Sequence, residues 1–126
     1  MLKRDFIMVQ IEELGKVIAQ IISQRDTDAA RKSPALIQGV YNSLKIDPGF
    51  LMSMSPQDIR RHLDEEDGAG LQRMELAAKV MIEDAFLNTE KQKELRLKSK
   101  EMLEYVQVND RSFSLERAFL LEELKQ

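Results

Sequence analysis

Apolar residues recur every three or four positions through most of this chain, a spacing that leaves it little choice but α-helices. Ile7, Ile11, Leu14, Ile18 and Ile21 follow one another at intervals of four, three, four and three. That places them on one face of a helix, and Phe6, Val17 and Ile22 widen the apolar stripe beyond that face. Asp5 can cap the start by accepting from free backbone amides. The helix is therefore expected from Phe6 to Gln24, fading over 25–28.

The later segments repeat the pattern with different punctuation. Ser33 reads as an N-cap with Pro34 at the first helical position, where a missing backbone donor does no harm. A kinked helix running through Pro34 is the alternative. Ile37, Val40, Tyr41 and Leu44 form its inner face, and Asp47-Pro48-Gly49 stops it, Gly49 accepting positive φ. After an unusually apolar connection, Phe50 to Met54, Ser55-Pro56 opens a short helix with Ile59 and Leu63 inward. An acidic, Gly-containing loop over 64–70 ends it.

Leu71, Met74, Ala78, Met81 and Ala85 then carry a helix to Leu87, with Asn88 as its stop. Thr89-Glu90-Lys91-Gln92 has the form of a capping box for the next helix, which buries Leu95, Met102, Leu103 and Val106. A turn at Asn109-Asp110-Arg111 leads to a last helix, capped by Ser112 or Ser114, with Leu120, Leu121 and Leu124 inward. The expectation is an all-α fold. It is a single domain over 1–126, an antiparallel array of about six helices, either TPR-like or an irregular bundle. Leu14-Gly15 matches the Leu-Gly of a tetratricopeptide repeat, but Ile11 stands for its Trp and Ile18 for its Tyr. No second copy follows at a fixed period.

Composition removes several kinds of chemistry. With no Cys and one His, disulfide frameworks, thiol catalysis and multi-His metal sites are excluded. Two Thr and no Trp argue against an all-β domain. No metal and no cofactor are expected. The basic start is followed by a stretch broken at Gln10, Glu12, Glu13 and Lys16, unlike a signal peptide, and no run approaches a membrane span. A cytoplasmic protein is expected.

Four groups of residues invite a functional reading. Asp64-Glu65-Glu66-Asp67-Gly68 resembles a calcium loop only superficially: aligned on Gly68, Leu63 and Met74 fall where ligands belong. Arg60–Asp64 and Arg61–Glu65 pairs are expected there instead, with Glu66 and Asp67 left as a negative patch. His62, without a nucleophile or metal partner, reads as a surface residue. Lys91, Lys93, Arg96, Lys98 and Lys100, against Glu94 alone, form a candidate anion-binding face. The chain's net charge of −3 makes nucleic acid an unlikely partner for it. Phe50, Leu51, Met52 and Met54 form a candidate partner surface. The broad face of the first helix should pack mostly inside the domain, against the helices at 34–44 and 71–87. Phe6 is left as a candidate contact for a symmetric dimer.

The opening Lys3-Arg4-Asp5-Phe6-Ile7-Met8, followed by Gln10-Ile11-Glu12 and Leu14-Gly15, resembles a bacterial family of small all-helical proteins with TPR-like helix pairs and no assigned activity. The resemblance covers about the first 22 residues and carries no catalytic motif. It implies a bacterial cytoplasmic origin. The expected function is a non-enzymatic interaction module, whose partner is another protein or a second copy. The alternative is an anion- or RNA-binding regulator using the Lys91 to Lys100 face.

Overall fold

In the computed structural model, which describes the backbone of residues 2–125 and the side chains of 7–125, there are seven α-helices and no strand. They are α1 (Leu2–Gln24), α2 (Ser33–Leu44), α3 (Pro48–Leu51), α4 (Pro56–Asp64), α5 (Gly70–Leu87), α6 (Gln92–Asn109) and α7 (Leu115–Leu124). A short 3₁₀ turn, Asp28–Lys32, runs directly into α2. Helix lengths of 23, 12, 4, 9, 18, 18 and 10 residues show no repeating pair, so the array is an irregular bundle. Among the described residues, no helix is long and apolar enough to cross a membrane.

The bundle is arranged around α5, which is apolar on nearly every side. Met74, Ala77, Ala78, Val80 and Met81 are fully enclosed, and Leu76, Ile82 and Ala85 nearly so. A helix of that kind is stable only when neighbours surround it. It packs most extensively on α6, then on α4, α2 and α1, while α7 leans on α6. The first helix behaves as expected: Leu14, Ile18 and Ile21 are buried, and its neighbours are α2 and α5. The Phe6 side chain lies outside the described residues.

Several boundaries differ from expectation, each for a local reason. Helix α1 starts at Leu2, so Asp5 lies within it rather than capping it. Ser33 cannot be an extended N-cap because its backbone is already helical and its N–H is donated to Ala30 O. Thr27 caps the preceding turn instead, accepting from Ala29 N at 3.2 Å. Lys45, not Gly49, takes the left-handed conformation that ends α2, with φ 58°. Asp47 then opens α3 by accepting from Gly49 N at 3.0 Å. The capping box on Thr89 does not form: Asn88 Oδ1 takes the Lys91 N–H at 3.3 Å, and Gln92 reaches back to Ala85 O at 2.8 Å. At the last helix, Ser114 is the cap, accepting from Arg117 N at 3.1 Å.

Two glycines show where the backbone is tight and where it is loose. At Gly70 a Cβ would press on Asp64 Oδ1 and lie 2.5 Å from Arg60 O, so α4 and α5 can meet there only through glycine. At Gly39, exposed on α2, a Cβ would meet nothing within 4 Å. In urea denaturation, Gly70→Ala should cost about 2 kcal/mol or more through overpacking. Gly39→Ala should add about 0.5–1 kcal/mol by helix propensity. Equal effects of the two changes would contradict this account of the α4–α5 corner.

Candidate functional site

The helix α7 is held by one cation. Arg117 is 1% exposed, and its guanidinium donates to Glu75 Oε2 at 2.9 Å, Asp110 Oδ2 at 3.1 Å, Gln107 Oε1 at 2.6 Å and Ser112 O at 3.1 Å. Next to it, Lys79 Nζ of α5 meets Glu116 Oε1 at 2.5 Å. The first turn of α7 is therefore fixed to α5, while Leu120, Leu121 and Leu124 rest on the core. Asp110 belongs to the same clasp. Ser112 N–H donates to it at 3.0 Å, and together with Arg117 this holds its carboxyl below the usual carboxylate range.

Facing α7 across α5, α1 presents an edge that the bundle covers only in part. Met8, Ile11, Gly15, Ala19 and Ile22 succeed one another at intervals of three, four, four and three, so they line one side of the helix. Met8 is 55% exposed and Ile22 43%, while Leu14, Ile18 and Ile21 one face over are buried. Between this edge and α7, over α5, lies a hollow of about 570 Å³. Its apolar surface comes from Ile18, Ala19, Ile22, Leu76, Ile82 and Leu120. A second, separate hollow of about 440 Å³ lies along Met8 and Ile11, against Asp67 to Ala69 of the loop before α5 and Gln72 of its first turn. From Met8 to Ile22 the edge is about 21 Å long at 1.5 Å per residue.

Charges rim this groove in a definite order. Just beyond α1, Arg25 forms a bidentate pair with Glu83 and lies 4.1 Å over the Phe86 ring, which closes one end. Lys79 and Glu116 bridge from the floor to the α7 wall. Among the described residues, no cation forms an ion pair with the carboxylate of Glu123 on the α7 rim or of Glu12 on the α1 rim. The uncompensated charge of the groove is therefore negative.

The sites expected from sequence are partly dispersed. Of the apolar connection, Phe50 is 60% exposed, but Leu51 is the inward residue of α3 at 0%, and Met52 and Met54 pack on the core. The five cations of α6 do not share one open face. Lys98 falls on the inner stripe with Leu95 and Met102, is 7% exposed, and donates to Met54 O at 2.5 Å and Glu101 Oε1 at 3.1 Å. Arg96 donates to Glu123 O at 3.1 Å, Lys100 is half-buried, and Lys91 and Lys93 are exposed.

The acidic loop is also tied up. Asp64 accepts from Gly70 N at 2.9 Å, and Asp67 binds Arg73 through both oxygens, at 2.7 and 2.6 Å. Glu65 stands 3.8 Å from Arg73 and 4.0 Å from Lys45, and Arg61 pairs with Asp58 at 3.4 Å rather than with Glu65. His62 is exposed, its ring nitrogen 3.2 Å from Lys45 O.

What this fold and surface define is a helical bundle with a largely apolar hollow between α1 and α7, rimmed by charged residues. Comparison of the chain with protein-family models, with curated proteins and with solved structures finds no match. The sequence reading missed the groove because its walls, Glu116 and Glu123 on one side and Gly15 and Ala19 on the other, are 97 or more positions apart. The usable signal was the second stripe on α1.

Arg117→Met would leave Glu75 and Asp110 without their counter-charge. It should cost about 3 kcal/mol, with α7 amides exchanging well before those of α5. Because the Asp110 pKa is lower folded than unfolded, its contribution is complete above about pH 4 and is lost as pH falls through the folded value. Acidification below about pH 4 should therefore quicken exchange at 115–124 first. Uniform loss of protection across the chain would contradict this.

Proposed function

We propose that the chain is a non-enzymatic protein-interaction module, cytoplasmic in setting, whose groove between α1 and α7 takes an amphipathic α-helix of a partner protein. The observation that carries this is the partly exposed apolar edge of α1, which faces α7 across a hollow over α5 from Gly15 to Ile22 and faces the 67–69 loop and Gln72 at Met8 and Ile11. A trough between two helices suits the ridges of a third. Anchors at i and i+3 or i+4 would meet Ile22 and Leu120 on either side of Leu76.

Charge selects among such helices. The exposed apolar side chains of the α1 edge, Met8 and Ile22, supply affinity through removal of surface from water, since Leu76 and Ile82 beneath are already buried. Glu12 and Glu123 favour a helix with basic flanks and oppose an acidic one, since like charges across an interface are costly. The partner class is a basic amphipathic helix. An anion-binding role for α6 has less support, because Lys98 is turned inward and Arg96 is bonded to Glu123 O.

Helical peptides about 15 residues long, with one apolar stripe and either Lys or Glu flanks, test this by fluorescence anisotropy. The Lys-flanked peptide should bind at micromolar concentration, about tenfold or more tighter than the Glu-flanked one. Ile22→Asp should abolish the binding, and Glu123→Lys should narrow the preference. Equal affinity for both peptides, or binding that survives Ile22→Asp, would overturn the proposal. So would a dimer in sedimentation that Ile22→Asp dissociates, because a second copy would then fill the groove.

A further inference from the structure

Gly15 lies in the interior of the 23-residue α1, where glycine weakens a helix relative to alanine. Nothing in the bundle requires it. Its φ is not positive, and a Cβ there would meet no atom within 4 Å, in contrast to the crowded site at Gly70. The space above Gly15 opens instead into the hollow between α1 and α7, with Ala19 one turn further along and Leu76 across the floor. Ile11 and Ile22 stand higher on either side, so α1 has a notch at the middle of its partly exposed edge.

We infer that this notch sets the specificity of the groove. It seats one large apolar anchor of the docked helix, of Leu size or greater, and brings the two backbones close at that point. The inference rests on the partner-helix reading above and adds the identity of the anchor. On the α7 side of the hollow, Glu116 is engaged by Lys79 while Glu123 forms no ion pair with a cation among the described residues, so a basic residue flanking the anchor is favoured there. The recognised element is then an apolar anchor with a basic flank. A methyl group at position 15 would occupy the space that the anchor needs, and packed apolar contacts tolerate such additions poorly.

The test uses the full chain and two Lys-flanked helical peptides that differ only in a central Leu or Ala. Gly39→Ala is the control, since Gly39 is equally open but lies on α2, outside the groove lining. Both Gly15→Ala and Gly39→Ala should raise the melting midpoint by about 4 °C. Only Gly15→Ala should weaken the Leu peptide, by tenfold or more, and it should leave the Ala peptide within twofold. If Gly15→Ala leaves the Leu peptide unaffected or tighter while Ile22→Asp abolishes binding, the notch is wrong and the groove stands. If neither change affects binding, the groove reading fails as well.

Discussion

The charged residues along α5 tie it to other parts of the chain, and the arrangement of the bundle depends on those ties. Arg73 donates to Gln10 of α1 at 3.2 Å and holds Asp67 of the preceding loop. Glu75 accepts from Arg117, and Lys79 meets Glu116, so two of them hold α7. Glu83 takes Arg25, just past the end of α1, and Asp84 accepts from the Tyr41 hydroxyl of α2 at 2.7 Å. Burial and that carboxylate hold the Tyr41 hydroxyl far above the ordinary phenol value. Apolar burial on α5 supplies the driving force, but it is non-directional. The polar ties decide which helix lies on which side, because a half-broken pair at such depth is strongly unfavourable.

The groove follows from the same arrangement. Since α7 is fixed at its first turn through Arg117 and leans on α6, it never closes onto α1. A hollow is left between them over Leu76 and Ile82, which the bundle itself nearly encloses, and the exposed apolar surface beside it belongs to the α1 edge. The proposed interaction role draws on the same arrangement that holds α7 away from α1.

Elements with long apolar stripes were legible in the sequence. The apolar residues the spacing named on α2 and α6 are buried and α1 packs on the two helices expected of it, but on α5 Leu76, Ala77, Val80 and Ile82 are buried beyond the named stripe, while Leu71 is only half-buried. The departures share a physical reason. At Ser33, Gly49 and Thr89 the local signal gave way to a neighbour: the 3₁₀ turn runs helically into Ser33, Lys45 takes the left-handed conformation, and Asn88 caps in place of Thr89. Leu51 and Lys98 were misplaced because composition was read without facing. Lys98 sits three positions after Leu95 and four before Met102, on the buried stripe, and its long stem lets the ammonium reach Met54 O. The groove itself was not legible as a site. Its walls come from opposite ends of the chain, and only the tie between Arg117 and Glu75 brings them to one side of α5.

The most direct test of the groove is an amide chemical-shift map of the chain, titrated with a Lys-flanked amphipathic helical peptide. Perturbations are expected along the Met8 to Ile22 edge of α1, at Leu76 and Lys79 of α5, and from Glu116 to Glu123 of α7. Perturbations centred instead on Lys93 and Lys100 of α6, or around Phe50, with the α1 edge silent, would contradict the account.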